Sequence, residues 1–117
     1  MDIHVEGAGT IVVSVAGEVD LATAPQLEQS LGEVLEQSDT REVRVDMSAV
    51  EFMDSAGLRV LIAALGRATE SNRTLTLQNP SDRVHRLIEI AGLAELFGVA
   101  GNGGGDSQTP DRRLEKS

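Results

Sequence analysis

Along this chain the spacing of apolar residues switches between a two-residue repeat and a repeat of about 3.6, and that alternation limits the fold more than any other feature. The run Thr10-Ile11-Val12-Val13-Ser14-Val15 is β-branched, which suits a pleated strand. Leu27, Leu31, Val34 and Leu35 then fall at i, i+4, i+7 and i+8, one apolar stripe of a helix. Val43, Val45 and Met47 alternate with Glu42, Arg44 and Asp46, a strand with one buried face. Leu58, Leu61, Ile62 and Leu65 predict a second helix that starts near Asp54 or Ser55. Thr74 to Leu77 reads as another strand, and Val84, Leu87, Ile88 and Ala91 as a third helical stripe. Two short strands are expected between Ile3 and Ala16, joined by a turn at Gly7-Ala8-Gly9.

Strands alternating with helices imply an α/β domain with right-handed crossovers between parallel neighbours. The opening strand pair is antiparallel, so the sheet is expected to be mixed but mostly parallel, flanked by α-helices. Thr23 and Gln26 have the spacing of a capping box, and Pro25 falls in the first helical turn. Ser38-Asp39-Thr40 closes that helix. Gly66 interrupts the second helix at a cost of about 1 kcal/mol relative to alanine, a position that suggests close packing against a neighbour. Ser81 is expected to cap the third helix after the Asn79-Pro80 turn, and Gly92 to stop it, with Leu93 packing back. Leu96, Phe97 and Val99 supply one last short strand or a buried turn.

Residues 1–100 are thus expected to form a single small domain. From Gly101 onward the chain is rich in glycine and polar residues, with Leu114 as its one large apolar residue, so 101–117 reads as a flexible tail. Phe52 and Phe97 are the only aromatic residues, which leaves the core to Val, Leu, Ile, Ala and Met. There is no cysteine, hence no disulfide framework, thiolate metal site or cysteine nucleophile. A net charge of −9 repels phosphate backbones and argues against nucleic acid as a partner. Lys116 is the only lysine, so the domain carries no lysine for phosphoryl or Schiff-base chemistry. No apolar run approaches the roughly 18 residues of a membrane span, and the N-terminus lacks a signal-peptide pattern. The expectation is a soluble, cytoplasmic protein with no membrane, cofactor or metal.

The stretch Val50-Glu51-Phe52-Met53-Asp54-Ser55-Ala56-Gly57-Leu58 joins a strand to a helix start. Functional sites of open α/β sheets gather at such carboxyl ends, and a helix start tolerates a phosphate. Read locally, Ser55 is an ordinary helix cap, a job Asp54 is equally suited to do. Gly57 lets the helix start approach a neighbouring backbone.

Phe52 to Leu58 closely resembles the phosphorylation loop of the anti-sigma factor antagonists, of the STAS domain family. The similarity extends to Gly17-Glu18-Val19-Asp20-Leu21-Ala22-Thr23-Ala24-Pro25, to Val45-Asp46-Met47-Ser48, and to Asn79-Pro80-Ser81 followed by Ile90-Ala91-Gly92-Leu93. Four collinear segments are far more specific than one Asp-Ser-x-Gly match. The resemblance implies a STAS-like fold and a non-catalytic role. Ser55 matches the serine phosphorylated by the cognate anti-sigma factor, itself a serine kinase. Asp54 matches the acid beside it, and Asp20 the acid of the facing loop. Members bind the kinase when unphosphorylated and so release the sigma factor; a PP2C-type phosphatase resets the serine. The implied docking surface comprises Asp20, Thr23, Met53, Asp54, Ser55, Ala56, Gly57 and Arg59, on a monomer or weak dimer. Two departures stand out. Ala56 replaces a family hydroxyl residue, which leaves Ser55 the only hydroxyl in the loop, and the family's last helix has no apolar-periodic counterpart here.

Three other readings compete. An enzyme needs a base near its nucleophile, and His4 and His85, the only histidines, sit in no catalytic motif. A receiver-like phosphoaspartate domain with Asp46 or Asp54 as acceptor lacks a domain lysine and starts with the wrong strand pair. Asp20, Asp46 and Asp54 are too few for an oxygen-ligand cation shell, and read as caps and loop hydrogen bonds. A constitutive STAS scaffold or accessory module keeps the fold without phosphorylation.

Overall fold

In the computed structural model, which describes residues 1–92, the elements run β1 (Asp2–Ala8), β2 (Thr10–Val19), α1 (Ala24–Glu36), β3 (Glu42–Met53), α2 (Ser55–Glu70), β4 (Thr74–Gln78) and α3 (Asp82–Ile90). The packing expected of Leu93, the strand or buried turn expected at Leu96, Phe97 and Val99, the boundary at residue 100 and the tail from 101 to 117 lie outside the described residues. The sheet order is β1-β2-β3-β4. β1 and β2 are antiparallel, whereas β2–β3 and β3–β4 are parallel, which is the mixed sheet expected. The turn between β1 and β2 is tighter than Gly7-Ala8-Gly9: Ala8 already pairs with Thr10, so Gly9 alone reverses the chain. Its φ of +77° is a backbone conformation that strains any residue with a Cβ.

Both crossovers step in the same direction along the sheet, so α1 and α2 lie on one face, in contact with each other. Only one side of each parallel strand is accordingly buried: Ile11, Val13, Val15 and Val19 of β2, Val43, Val45 and Met47 of β3, and Leu75 and Leu77 of β4. Leu27, Leu31, Val34 and Leu35 of α1 meet them, and Val84 and Ile88 of α3 complete a core that holds no aromatic residue among the described residues.

Three local expectations are corrected. Thr23 is the N-cap residue of α1, but its side chain makes no capping hydrogen bond, so there is no capping box with Gln26. Its backbone is already helical (φ −102°, ψ −15°), and its carbonyl accepts the Gln26 N–H at 3.0 Å, while Pro25 has no N–H to offer. In α2, Ile62 is 40% exposed, and the buried seam is Gly57, Leu58, Leu61, Ala64 and Ala68, with Leu65 at its margin. Ala64 and Ala68 are too small to stand out in an apolar stripe, yet both are buried in this seam. Gly66 packs against nothing: a Cβ added there meets no atom within 4 Å. Ser81 does cap α3, accepting the Val84 N–H, and Gly92 (φ +74°) follows its C-cap, Ala91, which is exposed rather than part of the stripe.

Candidate functional site

β3 continues well past its pairing with β4, which ends at Asp46 and Gln78. Beyond that point its register with β2 shifts twice. Ser14 and Ala16 face Asp46 and Ala49, and Gly17 and Glu18 face Val50 and Phe52. Each shift inserts one extra residue into β3, as a bulge does. The buried positions therefore change from strict alternation (Val43, Val45, Met47) to Val50 and Met53. The result brings Met53 opposite Val19, and the Asp54 N–H donates to the Val19 carbonyl at 3.1 Å. The ends of two parallel neighbours, and the loops that leave them, are thereby fixed side by side.

The loop after β2 locks itself. The Asp20 carboxylate accepts from the N–H groups of Ala22 (3.0 Å) and Thr23 (3.1 Å), and the Asp20 N–H donates to Thr23 Oγ1 at 2.9 Å. The Thr23 hydroxyl donates in turn to the Glu18 carbonyl at 3.0 Å. Asp20 and Thr23 thus shape the loop, each only half-exposed.

At the start of α2 the cap is Asp54, not Ser55. Its extended backbone (φ −108°, ψ −170°) turns Oδ1 onto the N–H groups of Ala56 (2.9 Å) and Gly57 (3.4 Å). The plain reading of Ser55 as a cap is therefore overturned. Ser55 is the first helical residue, its side chain exposed, and its hydroxyl makes no hydrogen bond among the described residues. Arg59 is also exposed, one turn further along α2. Ala56 is half-buried. Met53 and Gly57 are buried and offer a partner almost no surface; they hold the loop from inside. Gly57 approaches side chains rather than the backbone expected: an added Cβ would stand 2.6 Å from Val19 Cγ1 and 2.9 Å from Met53 Cγ.

Sequence reasoning counted the whole Asp20 to Thr23 loop, and so Leu21, in the docking surface, but missed Phe52 and Ile62 as an apolar rim of this site. Leu21, at the tip of the Asp20 loop, is 78% exposed, and Phe52 and Ile62 are 40% exposed. Ile62 lies seven residues after Ser55, two turns along the same helix face. Glu18 and Glu51, both exposed, add to the acidity around Asp20 and Asp54.

Neither histidine pairs with Ser55. His4 lies on β1 and pairs with Glu6 at 2.9 Å; His85 lies on α3 and pairs with Glu89 at 3.5 Å. Asp46 accepts the Ser48 N–H at 3.0 Å, and among the described residues no three of His, Asp or Glu converge as a metal set would. No helix among them is long and apolar enough to cross a membrane.

Residues 4–98 match the family model described as Mlab, STAS domain. The chain belongs to the STAS domain family. Among other STAS proteins, the anti-sigma-B factor antagonist of Staphylococcus aureus is 38% identical over 87 residues, covering 74% of this chain and 80% of that protein. An anti-sigma factor antagonist from Mycobacterium paratuberculosis is 33% identical, with a TM-score of 0.76 over 98% of this chain and 92% of that one. The anti-sigma factor antagonist SpoIIAA in its unphosphorylated form shares the fold at 18% identity (TM-score 0.74; 98% and 95% covered), as does the phosphorylated form of Bacillus SpoIIAA at 17% (TM-score 0.69; 98% of each covered). The STAS fold expected from the sequence is the fold observed.

Proposed function

We propose that this STAS domain is an anti-sigma factor antagonist whose switch is Ser55, acting in the cytoplasm as a binding module rather than a catalyst. In its unphosphorylated form it docks on an anti-sigma factor that is a serine kinase, and the sigma factor is released. The observation that carries this reading is the division of labour at the start of α2. Asp54 takes the cap, which leaves the Ser55 hydroxyl exposed and, among the described residues, without a hydrogen bond.

In the transfer, Ser55 Oγ forms a bond to the γ-phosphorus of ATP, the bond to the ADP oxygen breaks so that ADP departs, and the hydroxyl proton passes to a base of the kinase. The new group adds about −1.5 to −2 charges near pH 7. Burying it against a partner is costly unless that partner supplies cations. A difference of about 3 kcal/mol between the two forms changes affinity more than a hundredfold. A PP2C-type phosphatase restores the hydroxyl.

Intact-mass analysis after incubation with ATP and the candidate kinase, with Ser55→Ala alongside, tests the proposal. One added phosphate, absent from the variant, is expected. A stable complex without phosphate transfer sinks the switch and leaves a constitutive STAS scaffold; neither phosphate nor complex, across candidate kinases, sinks the antagonist role.

A further inference from the structure

We propose that Arg59 is an internal clamp for a phosphate on Ser55, so that phosphorylation also takes away the one cation among the residues of the site. The inference deepens the switch proposed above and rests on it. A phosphate at a helix start ordinarily settles on the free N–H groups of the first turn. Here Asp54 Oδ1 already accepts from Ala56 and Gly57, and its charge repels a second anion. The phosphate must look elsewhere on the helix surface.

Residues four apart on a helix are neighbours, so Arg59 stands one turn along from Ser55, and both are exposed. Arg59 has no carboxylate partner among the described residues. Sequence explains why: the positions three and four residues to either side are Ala56, Ser55, Ile62 and Ala63, none of them acidic. Its guanidinium fork matches two phosphate oxygens at once, a geometry that an ammonium lacks. Phosphate at Ser55 is the anion this arginine is placed to bind.

Two consequences follow. The clamp draws the phosphate along α2 and away from the cap, so the Asp54 hydrogen bonds survive and the backbone need not rearrange. It also engages Arg59 internally, so a carboxylate on the partner that pairs with Arg59 in the unphosphorylated complex loses its cation. The switch then acts twice, by an added anion and by a withdrawn cation.

The test uses the full chain carrying phosphoserine encoded at position 55 during synthesis, with Arg59, Arg59→Gln or Arg59→Lys. The second ionisation of the phosphate is followed by phosphorus NMR. Arg59→Gln is expected to raise its midpoint by roughly 0.3 pH unit, the equivalent of an exposed i, i+4 ion pair. Arg59→Lys restores part of the shift, and about 1 M salt abolishes it. Identical titrations with Arg59 and with Arg59→Gln overturn the clamp; amide spectra of both forms show that the fold is unchanged. Because the phosphate is installed without a kinase, this result stands apart from the mass assay, whose failure would strike the switch itself.

Discussion

Gly57 lies so close to Val19 that a single methyl group on it would stand 2.6 Å from Val19 Cγ1. That contact joins the first turn of α2 to the end of β2 and sets where the Ser55 loop sits. Gly57→Ala is therefore expected to lose about 1–3 kcal/mol, the usual cost of forcing extra volume into a packed interior. Gly66 is the internal control, because nothing lies near it: Gly66→Ala is expected to gain about 0.5–1 kcal/mol from helix propensity alone. Urea midpoints of the two variants should move in opposite directions.

The Asp54 cap separates stability from switching. Asp54→Ala removes the acceptor for two N–H groups and is expected to cost about 0.5–2 kcal/mol. Ser55→Ala removes no hydrogen bond seen in the structure and should stay within about 0.5 kcal/mol of the parent. Thermal melts of both variants decide it. An equal loss in the two would mean that Ser55 shares the cap after all.

At the opposite end of the sheet, Arg73 donates from Nε to the Thr40 carbonyl at 2.8 Å and from Nη2 to the Gln37 carbonyl at 2.9 Å. It thereby ties the segment before β4 to the end of α1, where the buried Thr40 hydroxyl donates to the Val34 carbonyl at 3.0 Å. Arg73→Met keeps the aliphatic stem but leaves both carbonyls without this donor, and about 1–3 kcal/mol should be lost in denaturant unfolding. Phosphate transfer to Ser55 in the folded variant should be unaffected.

Glu42 carries an acidic pH response that follows from its partner Arg44. The hydrogen bond from Arg44 Nε, at 2.9 Å, holds its carboxyl below the usual glutamate range and raises Arg44. A carboxyl lowered on folding contributes stability above its unfolded value, and that contribution is lost as the pH falls through the folded one. In a carboxyl NMR titration the Glu42 midpoint should rise in Arg44→Gln, and the small pH-dependent difference between the two proteins should vanish in acid. An unchanged midpoint would show that the pair does not persist in solution.

Much of the molecule was legible because periodicity is a local property. A strand that buries one face alternates, as Val43, Val45 and Met47 do, and a helix that buries one stripe repeats, as Leu27, Leu31, Val34 and Leu35 do. The loop from Phe52 to Leu58 could likewise be read as a strand-to-helix junction, and its resemblance to a known family was visible in the letters. The failures share another cause. Ile62 was misjudged and the buried Ala64 passed over because which face of α2 is covered depends on how closely its neighbours approach.

By itself, then, the sequence determined the order and type of the elements through Gly92, their aliphatic buried stripes, and the membership of Ser55 in a helix start. Tertiary structure decided which residue caps that helix. Asp54 and Ser55 are both capping types, and nothing in their identities ranks them. Two extra residues in β3 bring Met53 level with Val19 and tie the Asp54 N–H to the Val19 carbonyl. The strand therefore ends at Met53, the helix begins at Ser55, and Asp54 is left between them as the cap. A pairing between two strands, distant in sequence, is what leaves the serine free.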